Sequence, residues 1–478
     1  MSYTAWGYYA LVAILLPIYY ALPKKHRWVA LLAGSLVFYA LLLERRLQFA
    51  ILLFSVGACW LAGLWLDRRR GAGNGLRRLV FWAGLLMTAL PLLTVKLTSL
   101  ASEFAPRLSL PAWLAPVGLS FYTLQLVAYL TDVRRGKIRA QENPLKFCLF
   151  ATFFPQLIQG PIPRYDRIER ELFGGSDFDL DRIRDGAQLI LWGFFLKYMI
   201  ADKAALFVNP VFNSYRVYPG AYVWAAGFLY SIQLYADFLA CTVMAQGAAQ
   251  LFGVRIDDNF RRPYFAASIK EYWQRWHISL STWLRDYVYI PLGGNRRGRA
   301  RKFLNLAVTF AVSGLWHGNS FKYVVWGLLH AVYQITEELS GEHNPARLTA
   351  SPLAKLARQL RTFVLVALGL IVFRAQSLRA ACDMLASMVT VWNPWVWFDD
   401  SLLRLGLGGK EFVVLFLSMG VLFLVSFAQE RGVRVRAWIN ARPLALRWGI
   451  CLAAVWAVWI FGTYGFGFDA KDFIYGGF

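Results

Sequence analysis

The chain has 478 residues, of which 58% are hydrophobic and 17% aromatic, and its formal net charge is +23. A soluble domain is only about 45–50% apolar, so this composition excludes an ordinary soluble globular protein. The five cysteines stand singly, without a CxxC pair, which excludes a disulfide framework and a zinc site. The positive charge lies between apolar segments, so it indicates membrane topology and not nucleic-acid binding.

Long apolar segments predict transmembrane helices, because about 20 apolar residues in a helix cross a hydrocarbon core about 30 Å thick. The segment at 302–317 is short and also fits a re-entrant helix, which leaves eleven or twelve spans. No internal repeat or flexible linker is evident, so residues 1–478 are predicted to form one integral membrane domain of the all-α class. The predicted spans are 6–22, 28–43, 48–66, 79–97, 113–131, 187–208, 221–251, 302–317, 322–339, 361–376, 411–428 and 447–466.

The first apolar segment is predicted to be a retained span and not a signal peptide. It lacks a preceding positive region, and a basic cluster follows it in place of a small-residue cleavage site. The positive-inside rule assigns the most basic loops to the cytoplasm, so the amino terminus and, with twelve spans, the carboxyl terminus are predicted to lie outside. These basic loops are 24–27, 68–78, 134–139, 261–302 and 431–447.

Two segments differ from ordinary spans. Residues 147–163 are apolar but interrupted by three prolines and a glycine. Irregular backbone at membrane depth is tolerated only where it is buried in protein or lines a cavity, so this segment is predicted to be a re-entrant element beside the site. Residues 268–290 are predicted to form one amphipathic helix with an aromatic stripe. Its polar stripe holds Lys270, Gln274, His277, Ser281 and Arg285.

His277 and His317 are the candidate catalytic residues. His277 belongs to the predicted amphipathic helix, and His317 ends the segment 302–317. An ionisable side chain within the membrane is costly and therefore indicates function by default. Imidazole titrates closest to neutral pH, which suits it to accept a proton from an attacking hydroxyl. Neither histidine has acidic or cysteine neighbours, so no metal site is predicted.

A series of aromatic and polar motifs runs through the chain in a specific order. It comprises Phe153-Phe-Pro-Gln-Leu-Ile-Gln-Gly-Pro161, Tyr235-Ala-Asp-Phe238, Asn259-Phe-Arg-Arg-Pro-Tyr264, the segment 268–287, Pro291-Leu-Gly-Gly-Asn-Arg296, Gly314-Leu-Trp-His-Gly318 and Asp472-Phe-Ile-Tyr475. The series resembles the membrane-bound O-acyltransferase (MBOAT) family, in the bacterial branch of alginate O-acetylation and teichoic-acid D-alanyl transfer. The motif at 291–296 and the chain length favour the alginate-type acetylases. Val243 departs from the pattern where a second acid is expected, and Gly476-Gly477 replace a terminal aromatic residue.

The resemblance implies helices around a central tunnel, with His317 as the catalytic general base. His277 is expected to enter from the cytoplasmic side and to orient a thioester or stabilise an oxyanion. A structural role is favoured for His330, while His26 and His343 are expected to be solvated. Further substrate-binding or supporting candidates are Asp237, Asn259, Trp316, Ser281 and Arg285.

Alternatives stay open for several of these residues. For Asp237 a structural role is favoured over direct catalysis. Arg285 fits a pair with Asp286, donor binding or a solvated face equally well. The basic stretch 295–302 is explained better by the positive-inside rule than by contact with coenzyme A phosphates or an acidic carrier protein.

The predicted function is O-acyl transfer, with acetyl favoured, from a cytoplasmic coenzyme A or carrier-protein thioester. The acceptor is a hydroxyl of an extracytoplasmic polysaccharide or a partner transferase, at the bacterial cytoplasmic membrane and without a bound cofactor. Alternatives are D-alanyl transfer to teichoic acid, a transporter or export channel, and a non-catalytic scaffold suggested by Val243. A transporter predicts repeats and a counterpart to the broken segment 147–163, and the sequence shows neither.

Overall fold

The computed structural model describes residues 3–341 and 351–464, apart from 72, 104, 109, 112 and 113. Within these residues the regular secondary structure is helical, without strands. His343, the motif at 472–475 and the pair Gly476-Gly477 lie outside the described residues. The predicted all-α class is confirmed.

The α-helices fall on the apolar segments predicted to span a membrane, with further short helices between them. In chain order they are α1 (Trp6–Ala21), α2 (Arg27–Leu42), α3 (Arg46–Arg68), α4 (Asn74–Ser102), α5 (Leu119–Arg134), α6 (Pro144–Thr152), α7 (Tyr165–Gly174), α8 (Leu180–Phe194), α9 (Asp202–Asn213), α10 (Ala221–Leu251), α11 (Ile269–Arg275), α12 (Ile278–Leu284), α13 (Gly298–His317), α14 (Phe321–Leu339), α15 (Pro352–Arg374), α16 (Leu378–Thr390), α17 (Gly409–Glu430), α18 (Val435–Asn440) and α19 (Leu444–Phe461).

Six helices of the described chain are long and apolar enough to cross a membrane, namely α3, α4, α10, α15, α17 and α19. Shorter apolar helices such as α1 accompany them. The chain is therefore a multi-pass membrane protein. The predicted span 187–208 is divided, because a π-helical segment, Phe195–Ala201, separates α8 from α9.

Two compact units make up the described chain. The first comprises residues 3–190 and 241–258, and the second comprises 191–240 and the described residues from 259 onward. The first unit is held by buried aromatic rings, for example Tyr8 against Phe38 at 5.5 Å and against Phe154 at 5.8 Å between centroids. The single domain predicted for 1–478 stays a prediction.

The segment predicted to be broken, 147–163, lies in the first unit. Its beginning is helical as α6, where the Asn143 side chain accepts hydrogen bonds from the backbone N–H groups of Leu145 and Lys146. Beyond Thr152 the chain is irregular and buried, with Phe153 and Phe154 fully covered. The irregular buried backbone is confirmed from 153 onward, while its entry into a membrane stays a prediction.

Helices α13 and α14 form a closely packed antiparallel pair in the second unit. A Cβ at Gly314 would lie 2.2 Å from the Tyr323 carbonyl oxygen, and one at Gly327 would lie 2.2 Å from that of Phe310. Only glycine permits such backbone contact, which is typical of tightly packed membrane helices. This contact fixes the end of α13, where His317 is the last helical residue.

The single amphipathic helix predicted over 268–290 is wrong. Helix α11 ends at Arg275 and α12 begins at Ile278, and a π-helical segment, Arg285–Tyr289, follows α12. His277 has φ 44° and ψ 52°, in the left-handed region, so it interrupts the helix. The sequence periodicity is helical on both sides and therefore does not reveal this break.

Candidate active site

His277 and His317 come together in the second unit. Their ring centroids are 6.1 Å apart, and 0% and 1% of their surfaces are exposed. One ring belongs to the break between α11 and α12, and the other to the end of α13. Two residues forty positions apart in sequence therefore share one buried site.

Aromatic side chains surround His317. Its ring centroid lies 4.9 Å from that of Trp316, 5.1 Å from Trp326 and 5.6 Å from Phe373, all in edge-to-face arrangements. Trp326 belongs to α14 and Phe373 to α15, so three helices hold the imidazole. Such packing fixes the orientation of the ring, which catalysis by a positioned group requires.

His277 is held by different means. Its ring packs 4.8 Å from Phe238 and 5.7 Å from Trp316. It lies between two short helices and outside the spanning helices, and burial lowers its pKa from 6.5 to about 3. Removing water penalises the charged form, so this imidazole is neutral at physiological pH.

The loop that begins at Asn259 fixes the break around His277. The Asn259 carbonyl accepts a hydrogen bond from the Ile278 N–H at 2.9 Å, and the Arg275 carbonyl accepts one from the Arg261 N–H at 2.8 Å. The Asn259 side chain accepts from the Ser279 N–H at 3.0 Å and lies 3.3 Å from Nδ1 of His277. Asn259 was predicted to be a supporting residue, and it lies next to the site.

Asp237 takes part in a buried ion cluster. Lys197 Nζ lies 2.8 Å from Asp237 Oδ1 and 2.9 Å from Asp202 Oδ1. A buried charge requires such partners, so the geometry fits the favoured structural role for Asp237. The second acid of the cluster comes from Asp202, whereas position 243 holds a buried valine.

Lys197 and Asp202 were absent from the sequence candidates. Lys197 lies in the π-helical segment Phe195–Ala201, a type of irregularity that is frequent at functional sites. A lysine inside a predicted span was a usable signal, because intramembrane charges are rare and paired. Its partners could not be chosen from the sequence, since two different helices supply them.

The remaining candidates lie at the edge of this site or outside it. Trp316 contacts both histidines. The Ser281 hydroxyl donates to the Trp276 carbonyl at 3.2 Å, which places it on the first turn of α12. Arg285 pairs with its neighbour Asp286 at 2.9 Å, and 62% of its side chain is exposed. The structure therefore does not bring Arg285 to the two buried rings.

His330 is a third buried histidine in the same aromatic cluster. Trp326 lies between it and His317, at 5.1 Å from each ring centroid. The Trp273 indole N–H donates to Nδ1 of His330 at 3.3 Å, and a Cβ at Gly369 would lie 3.1 Å from Nε2. These contacts agree with the structural role favoured for His330. His26 is exposed, as expected.

Within the described residues, no group of three or more His, Cys, Asp and Glu side chains could hold a metal ion. What the arrangement offers is two neighbouring imidazoles buried among aromatic side chains. Such a pair can remove a proton from a hydroxyl and return it to a leaving group.

Comparison with known proteins identifies the chemistry. The model of the membrane-bound O-acyltransferase family matches residues 138–350. A probable alginate O-acetylase from Pseudomonas fluorescens is 35% identical over 410 residues, covering 86% of this chain and 79% of that protein. The chain belongs to the membrane-bound O-acyltransferase family.

Two other relatives are more distant. A peptidoglycan O-acetyltransferase from Helicobacter pylori is 33% identical over 57% of this chain and 56% of that protein. A teichoic acid D-alanyltransferase from Bacillus subtilis is 28% identical over 62% and 78%. The resemblance drawn from the motifs is thus confirmed, and the chain is a multi-pass membrane acyltransferase. The transporter and scaffold alternatives find no support.

Proposed function

We propose that this acyltransferase moves an acetyl group from a cytoplasmic thioester to a hydroxyl of an extracytoplasmic polysaccharide. A partner transferase that completes the transfer is the alternative acceptor. The donor is coenzyme A or a carrier protein, and the membrane is the bacterial cytoplasmic membrane. The observation that carries the proposal is the buried pair of imidazoles 6.1 Å apart.

The chemistry of acyl transfer needs a group that takes the proton of the attacking hydroxyl. The acceptor oxygen attacks the thioester carbonyl, the new C–O bond forms, the C–S bond breaks, and the hydroxyl proton ends on the departing sulfur. A base within hydrogen-bond reach of the hydroxyl contributes about 10²- to 10⁴-fold to the rate. We assign this base to His317, and His277 acts on the donor side.

The choice of acetyl follows from the relatives. The alginate O-acetylase match is both more identical and longer than the teichoic acid D-alanyltransferase match, at 35% over 86% of the chain against 28% over 62%. The acceptor is inferred to be a polysaccharide on the same basis. D-Alanyl transfer is the second candidate, because the teichoic acid D-alanyltransferase match still covers 62% of this chain.

Membranes containing the protein test this function directly. Radiolabelled acetyl-coenzyme A or acetyl carrier protein is supplied as donor and alginate oligosaccharide as acceptor, and the label in the polymer is measured. His317→Ala and His277→Ala are expected to lose about 100-fold or more, while the exposed His26→Ala control keeps the wild-type rate. Wild-type transfer by His317→Ala would reject the proposal, and transfer from D-alanyl carrier protein alone would favour the second candidate.

A further inference from the structure

Asn259 lies against the His277 ring, and the role inferred for it below rests on the proposed function. Its side-chain oxygen Oδ1 accepts hydrogen bonds from the Ser279 N–H at 3.0 Å and from the Ser279 hydroxyl at 2.9 Å. Nδ1 of His277 lies 3.3 Å from the same oxygen. Asn259 is 2% exposed and His277 is fully buried, so water does not compete for these bonds.

The backbone of Ser279 decides which atom of the amide faces the histidine. A backbone N–H only donates, so the amide atom that it meets is the oxygen and not the nitrogen. The nitrogen of His277 that faces an acceptor oxygen must carry the ring proton. A neutral imidazole has a single N–H, so its other nitrogen, Nε2, holds a lone pair.

We propose that Asn259 is a positioning residue that keeps the His277 proton on Nδ1, so that Nε2 receives the proton released in acyl transfer. In the reaction, His317 takes the hydroxyl proton as the C–O bond forms. Nε2 of His277 receives that proton and delivers it to the thiolate as the C–S bond breaks. The neutral ring has no N–H on Nε2 with which to stabilise an oxyanion, so His277 works as a proton carrier.

Neighbouring groups restrict rotation of the His277 ring. Phe238 and Trp316 pack against it edge-to-face, at 4.8 Å and 5.7 Å between centroids. The left-handed backbone at φ 44° and the bond from Ile278 to Asn259 hold the residue in place. The titratable ring of His317 lies 6.1 Å from it between centroids, and charging one ring disfavours charging the other.

Two substitutions separate positioning from simple helix capping. Asn259→Leu removes the acceptor, so we expect kcat to fall about 100-fold with KM changed less than about 3-fold, by analogy with other orienting partners of catalytic groups. Asn259→Asp keeps the acceptor and adds a negative charge, which raises the pKa of the adjacent imidazole. We expect it to recover most of the rate at high pH and to shift the acid limb of the kcat profile upward by about one pH unit or more.

The outcomes distinguish the inference from the proposed function. A carboxylate oxygen of aspartate accepts the Ser279 N–H as the amide oxygen does, so a purely structural Asn259 predicts a wild-type pH profile for Asn259→Asp, and that result would overturn the inference. Thr282→Ala, which removes a hydroxyl that donates to carbonyls of its own helix turn at 2.8 and 3.0 Å, is expected to keep the wild-type profile and a rate within about 2-fold. If Asn259→Leu does not fold, the pH profile of kcat for Asn259→Asp alone tests the role of Asn259. If His277→Ala and His317→Ala are both fully active, the proposed function fails first.

Discussion

The two histidines of the site are held in place in different ways. His317 ends a regular helix, α13, whose close approach to α14 depends on glycines in backbone contact. His277 interrupts a helix in a left-handed conformation, and a loop that begins eighteen residues earlier in sequence supports it. One ring is positioned by repetitive secondary structure and the other by a strained residue with specific hydrogen bonds.

The backbone around His277 is held by tertiary contacts, because regular secondary structure is interrupted there. Among the described residues, the non-glycine residues with positive φ are Arg262 and His277, and both lie around this break. Such a conformation costs about 1–3 kcal/mol and persists only where its surroundings enforce it. His277 is thus expected to be more sensitive than His317 to changes in neighbouring loops.

The largest effect on stability is expected on the His317 side, from Gly314→Ala. Its Cβ would lie 2.2 Å from the Tyr323 carbonyl oxygen, which belongs to the backbone and cannot rotate away. Overpacking of this kind costs about 3 kcal/mol, so thermal unfolding in detergent is expected at a clearly lower temperature. Gly420→Ala in α17, with nothing within 4 Å, is the matched control. Equal melting temperatures for the two variants would contradict the close packing.

An intermediate effect is expected on the His277 side, from Glu430→Gln. Its carboxylate accepts from Arg262 at 2.7 Å and from Arg275 at 2.9 and 3.0 Å, and so ties the end of α11 and the loop that begins at Asn259 to α17. Loss of these charged hydrogen bonds is expected to destabilise the protein by about 2 kcal/mol.

Tryptophan-fluorescence melting measures the effect of Glu430→Gln. Asp286→Asn, in the exposed pair with Arg285, provides the control and is expected to change stability by less than about 0.5 kcal/mol. The role of the carboxylate would be refuted if the two variants melted together with the wild type.

The smallest expected effect is on the stability difference between a glycine and an alanine variant, which should have opposite signs at positions 277 and 317. Glycine adopts positive φ freely, so His277→Gly is expected to be more stable than His277→Ala by about 1 kcal/mol. In the helical end of α13, His317→Gly is expected to be less stable than His317→Ala by up to about 1 kcal/mol. Chemical denaturation of the four variants measures both differences, and the same sign at both positions would show that the backbone contrast is absent.

The regular parts of the molecule were predictable because apolar length alone specifies a membrane helix. The helices α13 and α14 were predicted as segments 302–317 and 322–339 in this way, while the catalytic role of His317 stays a prediction. The break before Ile278 could not be predicted, because a hydrogen bond to Asn259 stabilises it. Local periodicity does not show a partner that is so distant in sequence. The Lys197 cluster was missed for a similar reason, because its two acids come from different helices.

The central claim, that the two imidazoles act as one catalytic unit, is tested by a double-mutant cycle on acetyl transfer. His277→Ala and His317→Ala are each expected to lower kcat/KM by about 10²- to 10⁴-fold. The double variant is expected to be no slower than the slower single variant, within about 3-fold, because residues that act as a unit are not additive. Full multiplication of the two losses would mean independent roles and would contradict the account.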